Sequence, residues 1–222
     1  MARAVVLLSG GMDSATTLAV AKSNACSCFA LSIDYGQRHQ YELKAAQSIA
    51  EDLGVLEHKI LSFDLTHFGG SALTDKTYPI PEKETSGIPI TYVPARNTIF
   101  FSLALAWSEV IDAEYIYSGV NAVDYSGYPD CRPEYVKALQ DLVNLATKKT
   151  VQGNKILIKT PLIHLTKAEI ILLGQEKGVD FSKTVSCYQI TEDGRSCGVC
   201  DACRLRIQAF KKLQIKDKIN YV

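Results

Sequence analysis

The sequence predicts an α/β protein built on a parallel sheet, and three observations carry that expectation. Short apolar runs of buried-strand length alternate with stretches of helical periodicity. A glycine turn, Ser9-Gly10-Gly11-Met12-Asp13-Ser14, sits directly between the first such run and the first helix. Four cysteines close together follow the last strand–helix unit. Strands alternating with helices at this spacing require right-handed crossovers, and so a parallel sheet covered by helices.

Residues 4–8 form the first apolar run, of the size of a buried parallel strand. Residues 15–21 then read as the opening turns of a helix. The two glycines let the chain turn sharply and let a ligand approach the backbone. A helix start offers unpaired N–H groups and the positive end of its dipole, which together make an anion site suited to phosphate. A lone Gly-Gly pair would be an ordinary turn with a serine cap. The full string is more specific, and it matches neither the GxxxxGK[ST] loop nor the GxGxxG dinucleotide fingerprint.

The second unit begins with a strand at 28–33, followed by the loop Asp34-Tyr35-Gly36-Gln37-Arg38-His39. The next helix places Leu43, Ala46, Ile49, Ala50 and Leu53 on one face and ends at Gly54. A third strand is expected at 57–63. Residues 64–95 carry Pro79, Pro81, Pro89 and Pro94, which exclude a regular helix, and a connection this long suits a lid or binding loop. Residues 97–111, rich in Phe, Leu and Ala, predict a largely buried helix, and 115–118 a fourth strand. A second long loop, 119–132, is full of hydrogen-bonding groups. Pro133 opens a helix with Val136, Leu139, Val143 and Ala146 in one stripe. A fifth strand follows at 155–159. Thr166-Lys167-Ala168-Glu169 is a capping box at the head of a further helix closed by Gly178. Composition shifts after about Val185, which divides the chain into an α/β domain, 1–184, and a C-terminal appendage, 185–222.

The chain has 222 residues, 47% of them hydrophobic, and a formal net charge of zero. That balance is that of a globular protein and gives no support to a general nucleic-acid binder. No apolar run reaches the length of a membrane span, and the faintly signal-like start is too short for a leader. A cytoplasmic protein with no membrane partner and no stable nucleic-acid complex is expected.

There are seven cysteines, and Cys187, Cys197, Cys200 and Cys203 cluster in two CxxC steps that share Cys200, with Cys187 ten residues upstream of Cys197. In a reducing compartment this argues for metal before disulfides. Four thiolates suit tetrahedral Zn²⁺ in a closed structural site, with an iron–sulfur cluster as the competitor. Asp201 is expected to cap the final helix, and Cys203 to lie in its first turn. Cys26, Cys28 and Cys131 read as packing or pocket residues.

The Ser9–Ser14 string resembles the pyrophosphate loop of the N-type ATP pyrophosphatases, which cleave ATP between the α- and β-phosphates. Further along stand Asp34-Tyr35-Gly36-Gln37-Arg38-His39, Gly70-Ser71-Ala72-Leu73-Thr74, Val93-Pro94-Ala95-Arg96-Asn97, Ser126-Gly127-Tyr128-Pro129-Asp130-Cys131-Arg132, Thr160-Pro161-Leu162 and Leu165-Thr166-Lys167-Ala168-Glu169, then the four cysteines. In that order they resemble the 7-cyano-7-deazaguanine synthase family of the queuosine precursor pathway. The resemblance implies a Rossmann-like (HUP, adenine-nucleotide α-hydrolase-like) five-stranded parallel sheet of order 3-2-1-4-5, with a small zinc knuckle. It implies a homodimeric ligase that forms C–N bonds: 7-carboxy-7-deazaguanine and free ammonia give the nitrile at the expense of ATP, with Mg²⁺ on the phosphates. The backbone of Leu8, Ser9, Gly10, Gly11, Met12, Asp13, Ser14, Ala15, Thr16, Thr17 and Leu18 would hold ATP. Asp13, Ser14 and Lys167 would be catalytic, and Arg96, Asp130 and Arg132 would bind substrate. A solvated first-turn lysine, an arginine ion pair and a structural Asp–Arg turn are the plainer readings of these last residues. His39 could reach the nucleotide, whereas His58, His67 and His164 read as structural or surface residues. No general base for ammonia stands out.

Two other functions fit parts of the chain: a tRNA-modifying adenylating enzyme with the same loop, and a non-catalytic nucleotide-binding zinc protein. The first needs an RNA surface, which a neutral chain does not announce. The second leaves the complete loop without a purpose.

Overall fold

The computed structural model describes residues 1–83, 87–123 and 127–222. Its elements run β1 (Arg3–Leu7), α1 (Met12–Ser23), β2 (Ser27–Asp34), α2 (Tyr41–Asp52), β3 (Glu57–Ser62), α3 (Arg96–Val110), β4 (Tyr115–Tyr117), α4 (Pro133–Ala146), α5 (Lys148–Val151), β5 (Leu157–Lys159), α6 (Lys167–Glu176) and α7 (Asp201–Lys212). The five strands form one sheet in the order β3-β2-β1-β4-β5, as the resemblance implied, and each neighbouring pair is parallel.

The pleat sorts alternate residues of the central strands into two cores. Val5, Leu31, Ile33 and Ile116 face the side covered by α3 and α4. Ala4, Val6, Cys28, Ala30 and Tyr117 face the side covered by α1, α2, α6 and α7. With both faces covered, β1 reads as a continuous apolar run rather than an alternating one. Cys187, Cys200, Ala202 and Cys203 join the first core, and Ala209 and Phe210 of α7 join the second.

Two expectations change. The helix after the first long loop is one-sided, because Phe101, Ala104, Leu105 and Trp107 are buried. Ser102, Ala106 and Val110, four residues apart, form an exposed stripe. Composition alone does not separate these faces, since the stripe is nearly as apolar as the core side. The final helix is capped by Cys200 rather than Asp201, which occupies the first helical position and pairs with Arg204. The Thr166–Glu169 capping box is present in full. Asp124, Tyr125 and Ser126 of the second long loop lie outside the described residues, as do Glu84, Thr85 and Ser86. Among the described residues no helix is long and apolar enough to cross a membrane.

β1 lies between β2 and β4, whose helical connections run to opposite faces. This is the topological switch point of the sheet, and ligands of open α/β sheets bind beyond the strand C-termini there. The turn after β1 and the loop after β4 meet at that point.

Candidate active site and cysteine centre

The turn after β1 is held from three sides. Gly10 has φ +87, and a Cβ there would lie 2.1 Å from the carbonyl oxygen of Glu42 and 2.9 Å from the amide of Ala46. So Gly10 lets the turn press against the start of α2, and ligand access is not what demands it. Val185 N–H donates to the Gly10 carbonyl at 2.9 Å, which ties in the C-terminal segment. Inside the turn, the Ser9 amide donates to Ser14 Oγ at 3.2 Å, and Ser14 Oγ donates to the Gly11 carbonyl at 3.0 Å. Gly11 is the N-cap of α1 and has no side chain to satisfy the first amides, which are left for a ligand.

β4 completes the pocket. A Cβ at Gly119 would lie 3.0 Å from the Asp13 carbonyl and 3.1 Å from the Ser14 amide, so the exit of β4 rests directly on the start of α1. Between them opens a cavity of about 230 Å³. Leu8, Ser9, Gly11, Met12, Asp13 and Ser14 reach it; Gly10 faces α2, and Ala15, Thr16, Thr17 and Leu18 are buried behind it in α1. The absence of the four α1 residues follows from helix geometry: only the first turn of α1 is exposed to the strand ends.

Lys167 enters the same cavity from the first position of α6 and is 6% exposed, so it is no solvated surface lysine. Its Nζ donates to both Asp13 carboxylate oxygens, at 2.8 and 2.9 Å. A cation at a helix N-terminus opposes the dipole, and the Asp13 charge compensates it.

Arg96 begins α3, directly after Ala95, which turns in the left-handed region at φ 54. The Arg96 guanidinium reaches the cavity, 5.7 Å from the Tyr35 ring centre and 6.0 Å from that of Phe100. Asp130 does not line the cavity. One of its oxygens accepts from the Asn97 amide at 3.1 Å, pinning the 127–132 loop to α3, while Oδ1 is buried with no hydrogen-bond partner among the described residues. Burial pushes the Asp130 carboxyl up, against the Asn97 hydrogen bond that lowers it. Arg132 is exposed at the N-cap of α4, away from the cavity. His39 Nε2 lies 2.8 Å from the Cys187 carbonyl and so joins the C-terminal segment. The structure therefore brings Asp13, Ser14, Lys167 and Arg96 together and leaves Asp130 and Arg132 outside.

Tyr35, Glu42, Phe100, Tyr128 and Tyr188 also line the cavity. Tyr35 and Tyr128 belong to strings noted in the sequence and Glu42, Phe100 and Tyr188 to none, and only the fold assembles these separate segments. Burial pushes Tyr35 up to about 12 and the Cys131 thiol up to about 11. Burial likewise pushes the Glu42 carboxyl up to about 7, with the Arg96 charge opposing.

The ligand atoms of Cys187, Cys197, Cys200 and Cys203 all lie within 4.8 Å of one another, and Cys197 Sγ is 4.0 Å from Cys203 Sγ. Bonds of ~2.3 Å in a tetrahedron put sulfurs about 3.8 Å apart, so one Zn²⁺-sized ion fits. An iron–sulfur cluster would spread its four thiolates wider, with irons between them. Backbone amides of Gln189 and Cys197 donate to Cys187 Sγ at 3.2 Å, and that of Cys200 to Cys197 Sγ at 3.4 Å. Such bonds stabilise thiolates, the form a metal binds.

The fold is shared with solved structures of low identity. A predicted subunit of tRNA methyltransferase from Methanocaldococcus jannaschii aligns at TM-score 0.51 and 20% identity, over 78% of this chain and 76% of that one. A 4-thiouridine synthetase, solved with RNA and bound ATP, aligns at 0.52 and 17%, over 95% of this chain and 53% of that one. The sequence relatives are much nearer. Proteins named 7-cyano-7-deazaguanine synthase from Pseudomonas aeruginosa (strain LESB58) and Saccharophagus degradans (strain 2-40) are each 57% identical over 219 residues. The matches cover 99% of this chain and 98% and 97% of those proteins. The model of one family, described as queuosine biosynthesis protein QueC, matches residues 3–214, a span holding both the cavity at the switch point and all four clustered cysteines. The chain belongs to the QueC family of queuosine biosynthesis proteins.

Proposed function

We propose that this chain converts 7-carboxy-7-deazaguanine, ammonia and ATP into 7-cyano-7-deazaguanine, the product its 57%-identical relatives are named for making. The observation that carries the reading is the single cavity joining the Ser9–Ser14 turn, with its exposed helix amides, to Arg96 and the Asp13–Lys167 pair. It offers a polyphosphate site and an acceptor site at one strand end.

The chemistry asks for these parts. A carboxylate resists nucleophiles because it is anionic and its oxygen leaves poorly. Transfer of AMP onto it makes a mixed anhydride, and ammonia displaces AMP to give an amide. A second AMP transfer, to the amide oxygen, permits loss of AMP and formation of the nitrile. Each activation releases pyrophosphate. The backbone around Ser9, Gly11, Asp13 and Ser14 holds the departing phosphates, and Lys167, positioned by Asp13, neutralises charge developing there. Arg96 orients the acceptor carboxylate. Asp130 and Arg132 then contribute through the 127–132 loop, Asp130 by tying that loop to α3. Mg²⁺ bound mainly by phosphate oxygens suits a cavity whose Asp13 carboxylate is already engaged by Lys167.

Zn²⁺ held by Cys187, Cys197, Cys200 and Cys203 would supply no chemistry to the reaction; it would staple residues 185–222, read here as an appendage, onto the α/β domain. We read the protein as a cytoplasmic homodimer whose partners are small molecules.

The test is pyrophosphate release from ATP and Mg²⁺, with 7-carboxy-7-deazaguanine and ammonium omitted one at a time and product mass recorded. Two pyrophosphates per nitrile is the expected result. Release only with tRNA, or with no acceptor tried, overturns it.

A further inference from the structure

Ammonia must lose a proton when its nitrogen bonds to the activated carbon, and the machinery above names no group to take it. The cavity holds few candidates. Tyr35 and Cys131 are both driven to high pKa by burial and keep their protons at neutral pH. Lys167 and Arg96 are cations. Asp13 is a carboxylate, but both its oxygens accept from Lys167 Nζ. Among the carboxylates of the described residues lining the cavity, that leaves Glu42.

Glu42 is well placed for the task. It stands in the first turn of α2, and its own carbonyl is the atom against which Gly10 is pressed, so its backbone is fixed to the phosphate-holding turn. Glu42 lines the cavity together with Asp13, Ser14 and Arg96, and its carboxyl feels the Arg96 charge. Arg96 from α3 and Tyr35 from the loop after β2 lie within electrostatic reach of it, and Tyr128 from the loop after β4, Tyr188 from the C-terminal segment, Asp13 and Lys167 line the same cavity.

We propose that the Glu42 carboxylate binds ammonia and is the general base for its attack on the adenylated acceptor. The inference rests on the functional reading above. In the first half, the N–C bond forms as the C–O bond to AMP breaks. AMP leaves with that electron pair, and one N–H proton passes to Glu42. In the second half, the adenylated amide loses AMP in the same way. Of the amide's two N–H protons, one is lost to solvent on adenylation and the other passes to Glu42 as the nitrile forms. Between the halves Glu42 releases its proton to solvent through the open cavity. The carboxyl, pushed up to about 7 by burial, is matched to taking and giving a proton near neutrality.

The experiment compares wild type and E42Q, with E42D as the variant that keeps a carboxylate. Three readouts are taken: ATP–pyrophosphate exchange dependent on 7-carboxy-7-deazaguanine without ammonium, amide formation with ammonium, and hydroxamate formation with hydroxylamine. Hydroxylamine is largely unprotonated at neutral pH, and its adduct loses a proton readily to water. For E42Q the expected result is a loss of at least about 100-fold with ammonium, the scale of general-base catalysis. Losses in exchange and with hydroxylamine stay below about tenfold, and E42D recovers part of the ammonium rate. The wild-type ammonium rate at saturating ammonia, independent of any variant, should rise through about pH 7 while exchange stays flat. Equal losses in all three readouts, retention of the ammonium rate by E42Q, or a flat wild-type profile overturns the inference alone. Wild-type protein with no acid-dependent exchange overturns the functional reading first, and this inference with it.

Discussion

Lys167 Nζ lies 2.8 and 2.9 Å from the two carboxylate oxygens of Asp13, joining residues 154 positions apart in the chain. The side chains are only 7% and 21% exposed, so the pair is largely withdrawn from water. Breaking such a pair by removing one partner leaves a charge uncompensated, at a cost of about 3 kcal/mol or more. K167M is therefore expected to lose about 3 kcal/mol of stability, read by urea unfolding. D13N/K167M should lose clearly less than the sum of the two single changes. Both single variants should lose pyrophosphate release. Additive stability losses would show that the two side chains do not act as a pair.

Gly10 and Gly11 are adjacent but differ in what they tolerate. G10A combines a left-handed φ with a Cβ 2.1 Å from the Glu42 carbonyl, and should cost about 3 kcal/mol or more. At Gly11 the nearest atoms to an added Cβ are 3.5 Å away, an ordinary contact. G11A should fold within about 1 kcal/mol of wild type, and any activity loss there reports on ligand approach. Thermal unfolding of the two variants side by side checks the contrast.

Arg206 is fully buried, and its guanidinium donates to both Asp217 oxygens, at 2.7 and 2.9 Å, and to the Phe181 carbonyl at 2.8 Å. Burial raises the Asp217 carboxyl, but the Arg206 hydrogen bonds and charge outweigh it and hold the pKa below the usual carboxylate range. A depressed folded-state pKa means stability present above the unfolded value, about 3.9, and lost as pH falls through the lower folded value. D217N should lose about 3 kcal/mol at pH 7. The gap to wild type should narrow below about pH 4, as urea unfolding across pH would record.

The four-cysteine site predicts one bound metal per chain by elemental analysis, with zinc as the ion. C203S should lower metal content by at least half. Prolonged chelation should lower the unfolding temperature, because binding free energy at such a site is folding free energy. Full metal content in C203S would place the ion elsewhere.

Much of the fold was legible because local physics announces it. The 4–8 run, the glycine turn and the Thr166–Glu169 capping box are each legible within a few residues of sequence, and the cysteine cluster within residues 187–203. The strand order was not local; it came through resemblance, and the sheet agrees with it. The one-sided burial of α3 escaped composition because both faces are apolar or small, and the start of α7 shifted by one residue because a cysteine served as the cap.

By itself the sequence determined the alternation of elements, the glycine turn after β1 and the cysteine cluster that could hold a metal, since backbone conformation and residue spacing there depend on near neighbours. Only the tertiary structure decided which of the charged residues share a cavity. Asp13 meets Lys167, and Arg96 and Glu42 join them, whereas Asp130 and Arg132 turn away. The reason is physical: which carboxylate is paired, and which is left facing the cavity, depends on burial and on charges from distant segments, and these exist only once the sheet has brought β1 and β4 together.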